Sequence, residues 1–245
     1  MDQLEKILAL VEGATPTHGS VLAPDVRTWL ASPEQGLTAA IDFVSGARAS
    51  TEALGRLAPS GVTVVGAVAS GDACWCEISR RGEGQPETGI AGLTRGPGGG
   101  VSRLVCLRAP LVPRGELDSA HGAPDGRPVL ESYFAALMNS RFGEAAAHFT
   151  VDTLYSHPPY AGGNEWVLLR GREALRRGFV ELRGPSPARQ IITGFWQQDD
   201  RVFVEGLIEG IPDGGSFFST AEISPQGEIA RCVAFYSATR IRPTR

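Results

Sequence analysis

The feature that most limits how this chain can fold is an internal repeat. A shift of 128 positions carries Gly66 onto Gly194, Asp72 onto Asp200, Glu77 onto Glu205, Gly99 onto Gly227, Arg103 onto Arg231 and Val105 onto Val233, without a gap. Random register would not keep turn residues and strand residues in step together, so the spacing predicts two copies of one supersecondary unit. Each copy reads as four strands: 62–70, 73–80, 87–94 and 101–107 in the first, and 190–197, 201–209, 215–223 and 228–237 in the second. Gly71-Asp72, Asp199-Asp200 and Pro225-Gln226-Gly227 supply turns between them.

Upstream of the first strands, residues 2–12 have the spacing of a short amphipathic helix, 13–24 read as a connection, and 34–57 as helical material stopped by Pro59-Ser60-Gly61. Residues 109–127 lack periodicity and are rich in Pro and Gly, the mark of a linker. Beyond it come a helix over 128–139, a shorter one over 142–149, a short strand over 153–156 and a third helix over 172–182. The expected organisation is an N-terminal helix and connection (1–24), a first domain (25–112), a linker (113–126) and a second domain (127–245). The helical stretch 36–57 resembles 128–149 more than 171–182. The first copy is therefore expected to lack the loop and third helix, and with them any sizeable pocket.

Composition removes several function classes. The chain of 245 residues is 42% hydrophobic and 20% charged, as ordinary globular proteins are. Its net charge of −4 provides no basic field for nucleic acid, and no apolar run approaches the roughly 20 residues that span a bilayer. The N-terminal residues do not have the charge pattern of a signal peptide, which makes the cytoplasm the default location. Cys74, Cys76, Cys106 and Cys232 all lie in apolar strand-like runs without redox or zinc spacing, so they read as buried, reduced side chains. No phosphate loop, metal spacing or nucleophile elbow is present, and no metal or cofactor is expected.

Chemistry concentrates in His148–Phe179. Asp152, Tyr155, His157 and Tyr160 crowd into nine positions, followed by Trp166 on a Pro/Gly loop. Most have a plainer reading: Asp152 as a turn former, His157 as a strand-end cap, and Tyr160 and Trp166 as interface aromatics; Tyr133, on the helix over 128–139, also reads as a core tyrosine. Ser219 lies on an alternating strand, so the register decides its direction. Phe149, Phe179, Trp196 and Tyr236 are the apolar candidates for a pocket wall. Glu205 is a further candidate, although its partner Glu77 in the first copy also suits a shared structural role.

The second half resembles the nuclear transport factor 2-like superfamily, which includes ketosteroid isomerase and the SnoaL-like polyketide cyclases. The resemblance rests on E-S-Y-F-A-A-L-M, F-T-V-D-T-L-Y-S-H-P-P, R-G-R-E-A-L-R-R-G-F and G-E-I-A-R-C-V-A-F-Y, and covers about 127–241. It implies an α+β fold in which a curved antiparallel sheet wraps around helices to leave an apolar pocket. It also implies a degenerate first copy, the two packed sheet to sheet as an intramolecular pseudo-dimer, giving a monomer or a weak homodimer. In the isomerase pattern Tyr133 falls on the oxyanion-donor tyrosine, His157 on the general-base position before a proline, and Ser219 on the second donor. Catalytic candidates are then His157, Tyr133, Ser219 and Asp152, with Tyr155, Tyr160, Trp166, Phe149, Phe179, Trp196, Glu205 and Tyr236 contacting substrate. The implied function is a cofactor-independent isomerase, cyclase or dehydratase acting on a small apolar carbonyl compound. A non-catalytic binding or assembly module is the alternative.

Overall fold

The computed structural model describes residues 22–30, 42–57, 62–80, 87–110, 112, 123–160, 165–211, 214–237 and 240–241. The chain divides into two units, the first ending at Leu111 and the second running from Val112 to Ile241. The helix expected at 2–12 and the first part of the one expected at 34–57 lie outside the described residues.

In the first unit, β1 (Leu22–Leu30) and β2 (Asp42–Ser45) lead into α1 (Ala47–Leu57). A meander comes next, of β3 (Val62–Ser70), β4 (Ala73–Arg80), β5 (Glu87–Arg95) and β6 (Val101–Pro110). In the second, α2 (Arg127–Met138) and α3 (Phe142–Ala147) precede β7 (Phe149–His157), β8 (Val167–Arg170) and α4 (Arg172–Gly178). The helical path continues as a π turn over Phe179–Arg183. A second meander comprises β9 (Arg189–Gln198), β10 (Arg201–Glu209), β11 (Gly215–Ile223) and β12 (Ile229–Ser237).

The two sheets have the same strand order, β2-β1-β6-β5-β4-β3 and β8-β7-β12-β11-β10-β9. In each, one pair is parallel (β1 with β6, β7 with β12) and the rest are antiparallel. The 128-residue shift holds residue by residue: Glu77 pairs with Ile90 as Glu205 pairs with Phe218. Even the irregularities repeat. One residue is extra between Val64 and Gly66, and one between Ile192 and Gly194. The protein is therefore a duplicated α+β fold.

This equivalence corrects the expected correspondence of helices. α1 follows the edge strand β2 as α4 follows β8, and both start after a glycine with positive φ, Gly46 at 93° and Gly171 at 83°. The Gly46 amide donates to the Val26 carbonyl and the Gly171 amide to the Thr153 carbonyl, at matching points of β1 and β7. The first copy thus has the third helix. Residues 42–45, expected as helix, are strand because Phe43 and Val44 pair with Trp29 and Thr28. β1 begins at Leu22, inside the expected connection.

The two cores differ in chemistry. The first gathers Val26, Leu30, Leu54, Ile78, Leu93 and Leu104 around Cys74, Cys76 and Cys106, with no aromatic ring among the described residues of that cluster. In the second, Leu130, Tyr133, Phe134 and Leu137 of α2 meet Phe149, Tyr155, Phe179, Val204 and Phe217. Each such aromatic side chain, taken from water, contributes about 1.5–3 kcal/mol. No described helix is long and apolar enough to cross a membrane.

Candidate active site

All four tyrosines of the chain, Tyr133, Tyr155, Tyr160 and Tyr236, gather around His157 in the second unit. The period of a strand explains part of this, because Tyr155 and His157 are two apart on β7 and share its core face. Tyr236 comes from neighbouring β12, Tyr133 from the buried face of α2, and Tyr160 from the segment after Pro158-Pro159. The hydroxyls form a chain, Tyr133 to Tyr155 at 3.4 Å and Tyr155 to Tyr160 at 3.3 Å. Both are long for O–H···O bonds, so these hydroxyls are loosely held and can turn to a better acceptor. The His157 ring stacks on Tyr160 at 4.1 Å and 18°, and meets Tyr236 edge-on at 4.6 Å. Gln190 donates to the Tyr236 hydroxyl at 2.6 Å, while its own Oε1 is buried with no partner among the described residues. Phe149 and Phe179 pack edge-on against Tyr155.

His157 is only 3% exposed, and its Nδ1 bonds the Pro158 carbonyl. A carbonyl only accepts, so Nδ1 carries the proton and Nε2 holds the acceptor lone pair. Burial pushes the imidazole pKa down to about 3, against a raising contribution from the Pro158 carbonyl and with a further lowering one from Arg183. His157, whose ordinary value is 6.5, is therefore neutral throughout the physiological range. Burial also raises Tyr133, Tyr155 and Tyr236 above 10, and Tyr160 to about 12. The cluster is thus a set of neutral donors around one neutral acceptor, in a setting that excludes water and strengthens polar contacts.

Of the residues singled out from the sequence, Tyr133, Phe149, Tyr155, His157, Tyr160, Phe179 and Tyr236 come together. Ser219 faces the same side of the sheet as Phe217 and Ala221, but Ala234 stands between its strand position and that of His157. Two strand spacings put it roughly 9–10 Å away. Asp152 is exposed and does not join them. The β7–β12 register breaks between Phe149 and Leu154, and the excess residues of β7 bow outward, leaving Val151 74% exposed. Trp196 and Glu205 lie on the other face of the sheet. There the Trp196 ring and the Glu205 stem crowd Gly194, whereas Phe195 and Val204 face the core. Trp166 makes no ring contact with the cluster among the described residues, and its indole Nε1 is buried without a partner.

Two contributors escaped the sequence reading. Gln190 is the first core-facing position of β9, and a polar residue opening an otherwise apolar face was the available signal. Arg183, which adds its charge near His157, Tyr160 and Tyr236, is brought there by the π turn, for which the sequence gives no cue. Among the described residues no three His, Cys, Asp or Glu side chains lie close enough to hold a metal ion.

The first unit shows a depression of about 630 Å³ lined by Pro24, Ser45, Gly46, Ala47, Arg48, Ala49 and Glu52. It is open to solvent, an indentation of the surface rather than an enclosed cavity. Small side chains where β1 and β2 meet the start of α1 leave the space unfilled.

Fold and site together define a tandem α+β protein with a histidine–tyrosine cluster in one copy. Among solved structures, it matches nuclear transport factor 2-like, ketosteroid isomerase-like and polyketide cyclase proteins, each along about half its length. A ketosteroid isomerase-like protein from Kribbella flavida is 18% identical, over 49% of this chain and 83% of that one, with a TM-score of 0.38. A nuclear transport factor 2-like protein of unknown function from Cytophaga hutchinsonii is 12% identical (46% and 89% covered, TM-score 0.36). A polyketide cyclase-like protein from Sinorhizobium meliloti is 16% identical (45% and 99% covered, TM-score 0.37). No protein-family model matches the chain, and no curated protein does either.

Proposed function

We propose that the second unit binds a small, apolar carbonyl compound and moves a proton on it without a cofactor, as isomerases and cyclases do. The observation that carries this reading is the gathering of every tyrosine of the chain around one buried, neutral histidine. In the proposed step, Nε2 of His157 takes a proton from the carbon next to the carbonyl, and the C–H electron pair moves into a carbon–carbon double bond as the carbonyl oxygen becomes an oxyanion. The Tyr155 hydroxyl donates to that oxygen, with Tyr133 behind it in the hydroxyl chain. Return of the proton from Nε2 to another carbon completes an isomerisation. A base held near pKa 3 suits a substrate whose carbon acid is itself activated, such as a 1,3-dicarbonyl.

The test needs no natural substrate. Deuterium uptake into cyclic 1,3-diketones and 2-tetralone, monitored by NMR, should be accelerated by the protein, and His157→Ala should lower that rate by about 100-fold or more. Equal rates in the two proteins would leave the binding-module reading in front. Sheet-to-sheet packing of the two units as a pseudo-dimer remains a proposal from sequence, tested by small-angle scattering of the whole chain.

A further inference from the structure

Tyr160 differs from the other three tyrosines in what holds it. Tyr133, Tyr155 and Tyr236 stand on α2, β7 and β12 and pack into or against the apolar core. Tyr160 comes three residues after the end of β7, belongs to no helix or strand, and is half-buried. It is not among the side chains packed on that core. Its ring lies on the His157 imidazole at 4.1 Å, and its hydroxyl sits 3.3 Å from that of Tyr155. Those two groups are the base and the oxyanion donor of the proposed reaction, so in this structure a phenol of the chain itself covers one face of the imidazole and engages the hydroxyl that a substrate would need.

We propose that Tyr160 is a displaceable placeholder: a planar ring carrying a hydroxyl or enol oxygen binds by moving Tyr160 off His157 and taking over both of its contacts. This rests on the reading of the cluster as the substrate site and narrows the ligands that can cover His157 there to a class. An enol or a phenol presents what Tyr160 presents, a flat π face for the imidazole and an oxygen for Tyr155. Arg183 adds its charge near the Tyr160 hydroxyl, which favours a ligand oxygen with anionic character at that point. Pro158 and Pro159 fix the backbone just before Tyr160, so the displacement begins at Tyr160 itself and leaves His157 in place.

An internal competitor lowers the apparent affinity of a ligand by the fraction of time the site is open, so removing the ring should raise it. The experiment uses the full chain as wild type, Tyr160→Phe and Tyr160→Ala, with 2-naphthol as probe and 2-methoxynaphthalene as the probe without a hydroxyl proton. Affinity is measured by equilibrium dialysis. The imidazole NMR signal of His157, assigned with His157→Gln, reports whether binding occurs at this place. Expected are affinity for 2-naphthol about 10-fold or more tighter in Tyr160→Ala than in wild type, an intermediate value in Tyr160→Phe, and weaker binding of the methoxy probe in Tyr160→Ala. Equal affinities in wild type and Tyr160→Ala overturn the placeholder, as does a His157 signal that 2-naphthol leaves unmoved. Loss of folded structure in Tyr160→Ala overturns it too, because a placeholder makes no core contacts. Failure of the proton-transfer reading shows separately, as deuterium exchange that does not depend on His157 whatever the naphthol affinities are.

Discussion

The two units share a backbone plan and divide at two positions of one strand. β1 and β7 have nearly the same burial pattern along their length, yet where β7 has Tyr155 and His157, β1 has Thr28 and Leu30. Thr28 donates to the buried Ser50 hydroxyl at 2.8 Å, and Leu30 joins the apolar core. Both choices close the first site. A small hydroxyl satisfied at once by its neighbour leaves no donor for a ligand, and an aliphatic side chain leaves no acceptor. The comparison teaches that this scaffold does not require polar groups at these positions. In the second unit they stay although burial penalises the charged form of His157 and leaves the hydroxyl bonds long. Groups held at a stability cost are candidates for function.

The largest effect should come from making the second unit like the first at Tyr155. Tyr155→Thr removes a fully buried ring that touches Phe149 and Phe179, and should destabilise the second unit by about 3–5 kcal/mol in urea denaturation. A loss below about 1 kcal/mol would mean that the ring is not part of the core.

The next test concerns His157. Its pKa is lowered in the folded state to about 3 from an ordinary 6.5, so between these values the unfolded chain binds the extra proton. Stability should therefore rise with pH across this window and be lost as pH falls from about 6.5 towards 3, with a slope of up to about 1.4 kcal/mol per pH unit from this group. His157→Leu, which installs the residue of the first unit, should flatten that part of the stability profile. An unchanged slope in the variant would mean that the ring is solvated.

A smaller effect should be common to both copies. Gly46 and Gly171 turn the chain from the edge strand into the following helix at φ of 93° and 83°, a region costly for any residue with a Cβ. Gly46→Ala and Gly171→Ala should each cost about 1–3 kcal/mol in their own unit. Unequal losses would show that the two turns, alike in hydrogen bonding, are not alike in strain.

Alternation and turn residues made the meanders legible: β3, β4, β10 and β11 have the expected bounds. Such signals are local, because side-chain direction repeats every two residues and a tight turn depends on few positions. The same local rule misplaced Trp196. Counting by twos from core-facing Gln190 puts it on the core face, but the extra residue between Ile192 and Gly194 reverses the alternation, so Phe195 faces the core instead. Asp152 was misread for a related reason, a break in register along β7.

The sequence by itself determined that the chain is duplicated, where the meander strands run, and that His157 and its tyrosines stand out, because composition and period are properties of neighbours along the chain. Tertiary structure decided which helix of one copy answers to which helix of the other. That equivalence is set by parallel pairing of β1 with β6 and β7 with β12, strands far apart in sequence. It also decided the state of His157. A side chain's pKa depends on its surroundings, and only the packing of Tyr155, Tyr160 and Tyr236 around the ring removes the water that would otherwise keep it near 6.5.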